Sequence, residues 1–312
     1  MMYKKKFCIV GYGNHSKNKI IPAIKKINGK IEGVVSKKNI IDNELNFFIS
    51  LDDALLNVHN ETIFILCSPP DVHLEQAIKI IGQGHNLFIE KPITTTYQDL
   101  SKIIEAANSK KIFFVENFMH EYSSFYNNFL NFWHNEKDSI NKININFIIP
   151  KLPSNTFREN NNTYPVNLFD IGCYIVSLIN NLSNKTILKL KKISNKGITS
   201  KELYTIVGKV NNSDVEILFG IDSYYDNHVK MTNHEGIEYK YTPFFYGRKG
   251  SRLVQKIKGD IIDNYETYEE DCFTILFQKD HNYWRDTQND RNILMLKNLS
   301  LLENLNKQYN DI

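Results

Sequence analysis

Apolar residues in the first third of the chain form short runs separated by amphipathic stretches, and that alternation predicts the fold. Phe7–Val10 reads as a buried strand running into Gly11-Tyr12-Gly13-Asn14-His15-Ser16. Ile20, Ala23, Ile24 and Ile27 then recur at helical spacing, with Pro22 tolerable in a first turn and Gly29 placed to stop the helix. Ile31–Val35 is a second strand. The pattern repeats with a strand at Thr62–Cys67, a turn at Ser68-Pro69-Pro70, and a helix carrying Leu74, Ala77, Ile78 and Ile81 on one face. The stretch NLFIEKP, Asn86–Pro92, holds another buried run that stops abruptly at Glu90, Lys91 and Pro92. A charged pair cannot stay unpaired in a sheet core, so the chain must emerge there. Pro92 cannot donate to a ladder, and it pushes Lys91 into an extended conformation. A helix using Leu100, Ile103, Ile104 and Ala107 and a strand at Ile112–Val115 follow. Strands alternating with helices imply a doubly wound parallel sheet with right-handed crossovers, an α/β domain over residues 1–117.

After Glu116 the pattern changes. Phe118, Tyr122, Phe125, Tyr126, Phe129, Phe132 and Trp133 predict an aromatic-rich helix, and Ile143, Ile145, Phe147 and Ile149 alternate with polar residues as in a half-buried strand. Further strands at Ile187–Ile193, Leu203–Val210, Val215–Gly220 and Gly236–Tyr241 arrive without intervening helices. They predict a second, α+β domain over residues 118–312 with an open, mostly antiparallel sheet, one face under helices and the other free for an interface. Between them, Leu168, Ile171, Ile175, Leu178 and Leu182 make a helical stripe within Pro165–Leu182, and Asp170 and Tyr174, four apart, share its margin. Pro153–Tyr164 has no periodicity and reads as a loop near a site mouth, where Arg158 would meet an anionic substrate. Phe244-Phe245-Tyr246-Gly247-Arg248 is open to two readings, a segment reaching the site or an exposed turn. Ile293, Leu296, Leu299, Leu302 and Leu305 predict a long closing helix, packed back on the scaffold or on a partner subunit.

Composition removes several classes of function. A formal charge of +3 from 38 basic and 35 acidic side chains is too balanced for a nucleic-acid or membrane-surface partner. No apolar run approaches the roughly 18 residues of a membrane helix. The basic tip MMYKKK enters a glycine turn too soon for a signal peptide, so a cytoplasmic location is expected. Cys8, Cys67, Cys173 and Cys272 are too far apart for a zinc or redox pair; no metal is expected and the thiols are read as free.

The chemistry starts at the first turn. Strand, glycine turn, helix and strand within about thirty residues form the setting of a dinucleotide fingerprint, a Rossmann βαβ unit. Gly11 and Gly13 let the backbone turn tightly beside a pyrophosphate, Asn14 and His15 open the helix whose N-terminus attracts it, and Ser16 stands where a third glycine is usual. At the end of the second strand an NAD-preferring protein places an acidic residue. Here Ser36, Lys37 and Lys38 offer a hydroxyl and two ammonium groups, which suit a 2′-phosphate, so NADP (NADPH) is expected over NAD. Ser68, Pro69 and His73, at the next strand-to-helix turn, are counted with the cofactor contacts, as are Glu90 and Lys91. For His73, packing or capping is the rival reading.

In order and spacing, GYGNHSKNKIIPAI, SPPDVH and IEKPITTT resemble the glucose–fructose oxidoreductase, inositol dehydrogenase and MocA family over the first 120 residues. Its members are two-domain NAD(P)-dependent oxidoreductases, most acting on sugars and polyols. The resemblance implies that Lys91 lies beside nicotinamide and substrate, that Glu90 and Pro92 shape the turn, and that the Lys91–Pro92 bond is cis. DIGCY matches the D-x-G-x-Y form of a second family motif, similar to glucose–fructose oxidoreductase, dimeric dihydrodiol dehydrogenase and certain deoxysugar ketoreductases, a tyrosine-type subgroup. It implies Tyr174 as proton donor with Lys91, and Asp170 as the group that orients the lysine or a substrate hydroxyl. Two departures touch the substrate: Val166 and Asn167 replace the usual glycines, and His120 and Glu121 stand where an arginine is common. His120, Arg158 and Asn167 are the candidate substrate contacts. The implied function is reduction of a keto group on a sugar or nucleotide-linked sugar in polysaccharide or deoxysugar assembly, by a homodimer or homotetramer formed through the open sheet. A reductase of a non-sugar carbonyl, imine or tetrapyrrole, and an NADP-binding regulator without turnover, are the alternatives.

Overall fold

The computed structural model describes residues 4–38, 40, 44–150, 165–183, 185–193, 203–222 and 224–310. Contacts divide the chain into two compact units, Met1–Met119 with Phe273–Leu296, and His120–Cys272 with Lys297–Ile312.

The first unit opens with β1 (Lys6–Val10), α1 (Ile21–Lys26, preceded by a wider helical turn at Ser16–Ile20), β2 (Lys30–Val35), β3 (Phe47–Phe48) and α2 (Leu51–Asn57). It continues with β4 (Ile63–Leu66), α3 (His73–Gly82), β5 (Leu87–Ile89), α4 (Tyr97–Lys110) and β6 (Phe114–Glu116). Every pairing in its sheet is parallel and the order is β3-β2-β1-β4-β5-β6. Succession therefore reverses direction between β1 and β4, and such a switch point opens a crevice at the carboxyl ends of the strands. Phe7, Ile9, Phe64, Ile65, Leu66, Leu87 and Ile89 are fully buried, as strands covered on both faces require. The α3 stripe is rotated from expectation: His73, Ala77, Ile80 and Ile81 face inward, while Ile78 is 37% exposed. β3 and α2 lie in a stretch too short and too mixed in polarity to have been read as elements.

The second unit contains α5 (Ser124–Glu136), β7 (Ile140–Pro150), α6 (Val166–Asp170), α7 (Gly172–Leu182), β8 (Thr186–Ile193), β9 (Leu203–Val210) and β10 (Ser213–Asp222). β11 (Asp226–Asn233), β12 (Glu238–Thr242), β13 (Ser251–Lys258) and β14 (Ile261–Glu269) complete its sheet, ordered β14-β13-β12-β11-β7-β10-β9-β8. All its neighbours are antiparallel except β7 and β10. Ile143, Ile145 and Phe147 pair with Val215, Ile217 and Phe219 on the buried face, the alternation read from the sequence. β11, β13 and β14 carry no strand signal in the sequence because charged residues interrupt their period. α5 starts only at Ser124, so Phe118 and Tyr122 precede it; Tyr122 closes a helical turn at Met119–Tyr122.

The chain closes with α8 (Cys272–Gln278), α9 (His281–Asp286) and α10 (Gln288–Asn310). In the first unit Phe88 meets Phe277 and Trp284 edge-on at 5.2 and 5.5 Å. Lys5 Nζ donates to the last carbonyls of α8, Phe277 O at 2.8 Å and Gln278 O at 3.1 Å, and to Lys279 O, capping that helix with a cation. On α10 Met295, Leu299, Leu302 and Leu305 are buried, while Ile293 is exposed.

Candidate functional site

The residues of the first unit form around the switch point. Val10 ends β1 and Gly11 turns at φ +104°, its amide donating to Val35 O at 3.0 Å. A Cβ on Gly11 would stand 3.0 Å from Cys67 O and 3.2 Å from Ser68 N, backbone that cannot swing aside. Glycine is thus required for the β1 turn to lie against the end of β4. Gly13 differs: a Cβ there would meet nothing within 4 Å, so the outer face of the loop is open. Asn14 and His15 are exposed and open the helix. Ser16 is fully buried with its hydroxyl donating to Gly13 O at 3.0 Å, which is how this chain closes the turn without a third glycine. An unobstructed glycine loop at a helix start on the sheet's carboxyl edge fits a pyrophosphate.

At the end of β2, the Lys38 amide donates to Ser36 Oγ at 3.2 Å, and the Ser36 amide to Phe48 O at 2.9 Å. This turn holds the serine in place and leaves Lys37 and Lys38 exposed. After β4, Pro69 leads into a turn at Pro70–Val72, and Ser68 Oγ donates to Gln76 Oε1 at 2.5 Å.

The Glu90–Pro92 turn is held by groups from three directions. His15 Nε2 lies 2.9 Å from Glu90 Oε1, and Asn117 Nδ2 donates to the same oxygen at 2.9 Å. Burial alone would raise the Glu90 carboxyl; the charge and hydrogen bond of His15, the Asn117 bond and the charge of Lys91 outweigh it and leave the group below its ordinary value. Glu116 Oε1 accepts from the Ile93 amide at 2.9 Å. Lys91 itself is half-buried, and its bond to Pro92 is cis, as the resemblance implied. His73 is fully buried, with Nε2 2.9 Å from Ser68 O and Nδ1 3.2 and 3.1 Å from Pro92 O and Ile93 O. Burial lowers its pKa against those carbonyls, so the ring is neutral and donates through one nitrogen at a time. Its geometry is that of a staple between the β4 turn and the β5 turn.

The second unit holds the other group of candidate residues. Asp170 and Tyr174 do not share one continuous helix: α6 ends at Asp170 and α7 begins at Gly172, with Ile171 between them at φ −106°. Asp170 is half-buried, Asn167 is buried in α6, and Arg158 and the 153–164 loop lie outside the described residues. Tyr174 is 8% exposed, and its ring stands 5.3 Å from that of His120, 5.4 Å from Phe147 and 5.8 Å from Phe245. Next to His120, Glu121 accepts a short hydrogen bond from Ser177 on α7. Phe147, Glu121 and Ser177 were not among the expected site residues. The spacing of Ser177 three residues after Tyr174 was the available signal; nothing in the sequence points Glu121 toward it.

The structure thus brings together Gly11, Gly13 and Ser16; His15, Glu90 and Asn117; His73 with the Ser68 and Pro92 turns; and His120 with Tyr174. Lys91 belongs to the first unit, Asp170 and Tyr174 to the second. Among the described residues no cluster of three or more His, Cys, Asp or Glu could hold a metal ion, and no helix is long and apolar enough to cross a membrane.

A six-stranded parallel sheet with a glycine turn at its switch point, joined to a mostly antiparallel domain, defines a dinucleotide-binding, two-domain class of protein. Residues 5–118 match the GFO_IDH_MocA model, the oxidoreductase family with an NAD-binding Rossmann fold. An uncharacterized oxidoreductase of Streptococcus pneumoniae is 30% identical over 90 residues, which is 29% of this chain and 23% of that protein. One from Schizosaccharomyces pombe is 34% identical over 65 residues, 21% of this chain and 17% of the relative. The chain therefore aligns with less than a quarter of either relative's length. Among solved structures, the 3-ketoreductase KijD10 of Actinomadura kijaniata, in complex with NADP and TDP-benzene, has a TM-score of 0.77 at 14% identity, covering 96% of each chain. An aldose-aldose oxidoreductase of Caulobacter crescentus, complexed with glycerol, reaches 0.79 at 12% identity over 99% of this chain and 98% of its own. The UDP-N-acetylglucosamine 3-dehydrogenase GnnA of Acidithiobacillus ferrooxidans reaches 0.72 at 11%, covering 98% of both. At these identities the likeness is one of fold.

Proposed function

We propose that this protein is an NADPH-dependent oxidoreductase that reduces a keto group on a sugar or nucleotide-linked sugar, with a role in polysaccharide or deoxysugar assembly. The observation that carries the reading is the gathering of the open glycine loop, the basic end of β2 and the Glu90–Pro92 turn at the carboxyl edge of one parallel sheet. The names of two structural neighbours, a 3-ketoreductase solved with NADP and a nucleotide-sugar 3-dehydrogenase, support it. NADP is favoured over NAD because Ser36, Lys37 and Lys38 offer a hydroxyl and two cations to a 2′-phosphate.

When bound, NADPH supplies the hydride. The chain then has to supply a proton and to stabilise the negative charge that grows on the carbonyl oxygen. Tyr174 is assigned the proton, and a phenol of ordinary pKa about 10 needs a cation to serve near neutrality. Lys91 is assigned that field and a hydrogen bond to the same oxygen; Asp170 orients the lysine or a substrate hydroxyl. The assembly in this reading is a homodimer or homotetramer through the open sheet of the second unit, which light scattering in solution would read.

The test is NADPH oxidation across a panel of TDP- and UDP-linked keto sugars. Tyr174→Phe is expected to cut turnover by about a hundred- to ten-thousandfold while NADPH binding stays intact. Lys91→Ala is expected to be worse, since it removes both charge stabilisation and positioning. Full activity in the Tyr174→Phe protein would mean that the proton comes from another group.

A further inference from the structure

An acid beside the tyrosine-bearing helix has no part in the mechanism above. Glu121, half-buried in the turn Met119–Tyr122, takes its short hydrogen bond from Ser177. Ser177 lies three residues beyond Tyr174 on α7, and residues so spaced are neighbours on one helix face. The adjacent His120 sets its ring 5.3 Å from that of Tyr174. Two successive residues therefore grip the same face of α7, one at the phenol and one a turn further on.

We propose that Glu121 is a positioning residue for Tyr174, fixing through the Ser177 hydroxyl how α7 presents the phenol. The proposal rests on the ketoreductase reading, in which Tyr174 gives the proton. Burial pushes the Glu121 carboxyl up to about 7, with the Ser177 hydrogen bond pulling the other way. The group is therefore neutral below that pH and charged above it. From α7 it faces Ser177, with Tyr174 a turn back. From α5 it faces Tyr126, whose hydroxyl is pushed well up by burial and further by the Glu121 charge. His120 and Tyr122 flank it on its own turn. The charged group at the start of α5, Glu270, is occupied by the Ser124 amide and hydroxyl and the Phe125 amide. Among the described residues the Ser177 hydroxyl is what offsets the burial of this carboxyl; burial outweighs it, so ionisation weakens the grip on α7.

The experiment is the pH profile of kcat for the wild type, Glu121→Gln, Glu121→Ala and Ser177→Ala, with NADPH and TDP- or UDP-linked keto sugars. In the wild type kcat should fall as pH rises through about 7. Glu121→Gln copies the protonated acid and should lose that limb, with the KM for NADPH unchanged. Ser177→Ala and Glu121→Ala should lower kcat at every pH, by up to about a hundredfold if the phenol moves an ångström. A wild-type limb in Glu121→Gln, or wild-type kcat in Ser177→Ala, overturns the proposal. If the wild type turns over none of these sugars, the ketoreductase reading fails, and amide exchange across Gly172–Ser177 decides on Glu121 separately. Protection there should fall as pH rises from about 4.5 to about 7 in the wild type and stay level in Glu121→Gln. Identical exchange in both proteins contradicts it.

Discussion

The two glycines of the first turn make opposite demands, and alanine at each separates folding from cofactor binding. Gly11 sits at φ +104° with the Cys67 carbonyl 3.0 Å from where a Cβ would be. Gly11→Ala meets left-handed strain of about 1–3 kcal/mol and overpacking against backbone of similar size, roughly 2–5 kcal/mol together. At about 2–4 °C per kcal/mol, the first unit should melt some 5–15 °C lower. Gly13→Ala places its methyl in open space and has no positive φ to relieve. Its melting point should hold or rise slightly, because alanine narrows the unfolded ensemble by up to about 1 kcal/mol. If a pyrophosphate lies over that loop, the same methyl costs about 1–3 kcal/mol of binding, a tenfold to hundredfold loss of affinity. Thermal unfolding and titration of NADPH fluorescence read the two effects independently. Wild-type NADPH affinity in Gly13→Ala would refute the placement of the pyrophosphate, and a wild-type melting point in Gly11→Ala would refute the packing argument.

Two further outcomes follow from the turn chemistry. His73→Leu strips the carbonyls of Ser68, Pro92 and Ile93 of their shared partner. Losing the ring's one N–H to these buried acceptors costs about 1–3 kcal/mol. Denaturant unfolding should show that loss, together with faster proteolysis at the Glu90–Pro92 turn; unchanged stability would mean that the ring does not staple these turns. Glu90 is held below its ordinary carboxyl value, so it contributes stability above the unfolded pKa near 4.5 that is lost as pH falls through its lower folded value. Glu90→Gln should therefore be less stable at neutrality and less sensitive to acid, and a parallel stability–pH curve for the two proteins would contradict the assigned partners.

Much of this was legible in the chain because buried parallel strands advertise themselves. Phe7–Val10, Thr62–Cys67 and Leu87–Ile89 have few polar residues to confuse their period, and the glycine turn and EKP stop sit at their ends. β11, β13 and β14 were not legible, because a strand with one solvated face and charges such as Lys230, Lys256 and Asp263 carries a weak alternation. The break between α6 and α7 was hidden by an apolar stripe that runs through Ile171 without change of period. The sequence places His73 with the cofactor contacts, with packing or capping as the rival reading; the three carbonyls around its ring come from residues five and about twenty positions away. Glu121 illustrates the same limit more sharply. Its partner Ser177 is 56 residues distant, and a hydrogen bond at that separation exists only once the fold does.

Dinucleotide recognition by the first unit is the property on which the proposed chemistry depends most directly. Fluorescence titration of the full chain with NADPH and with NADH, repeated for the Lys37→Ala, Lys38→Ala double variant, tests it in a single experiment. Saturable binding of both, tighter for NADPH, with the preference abolished in the variant, is the predicted result. Failure of either nucleotide to bind would contradict the enzymatic reading as a whole.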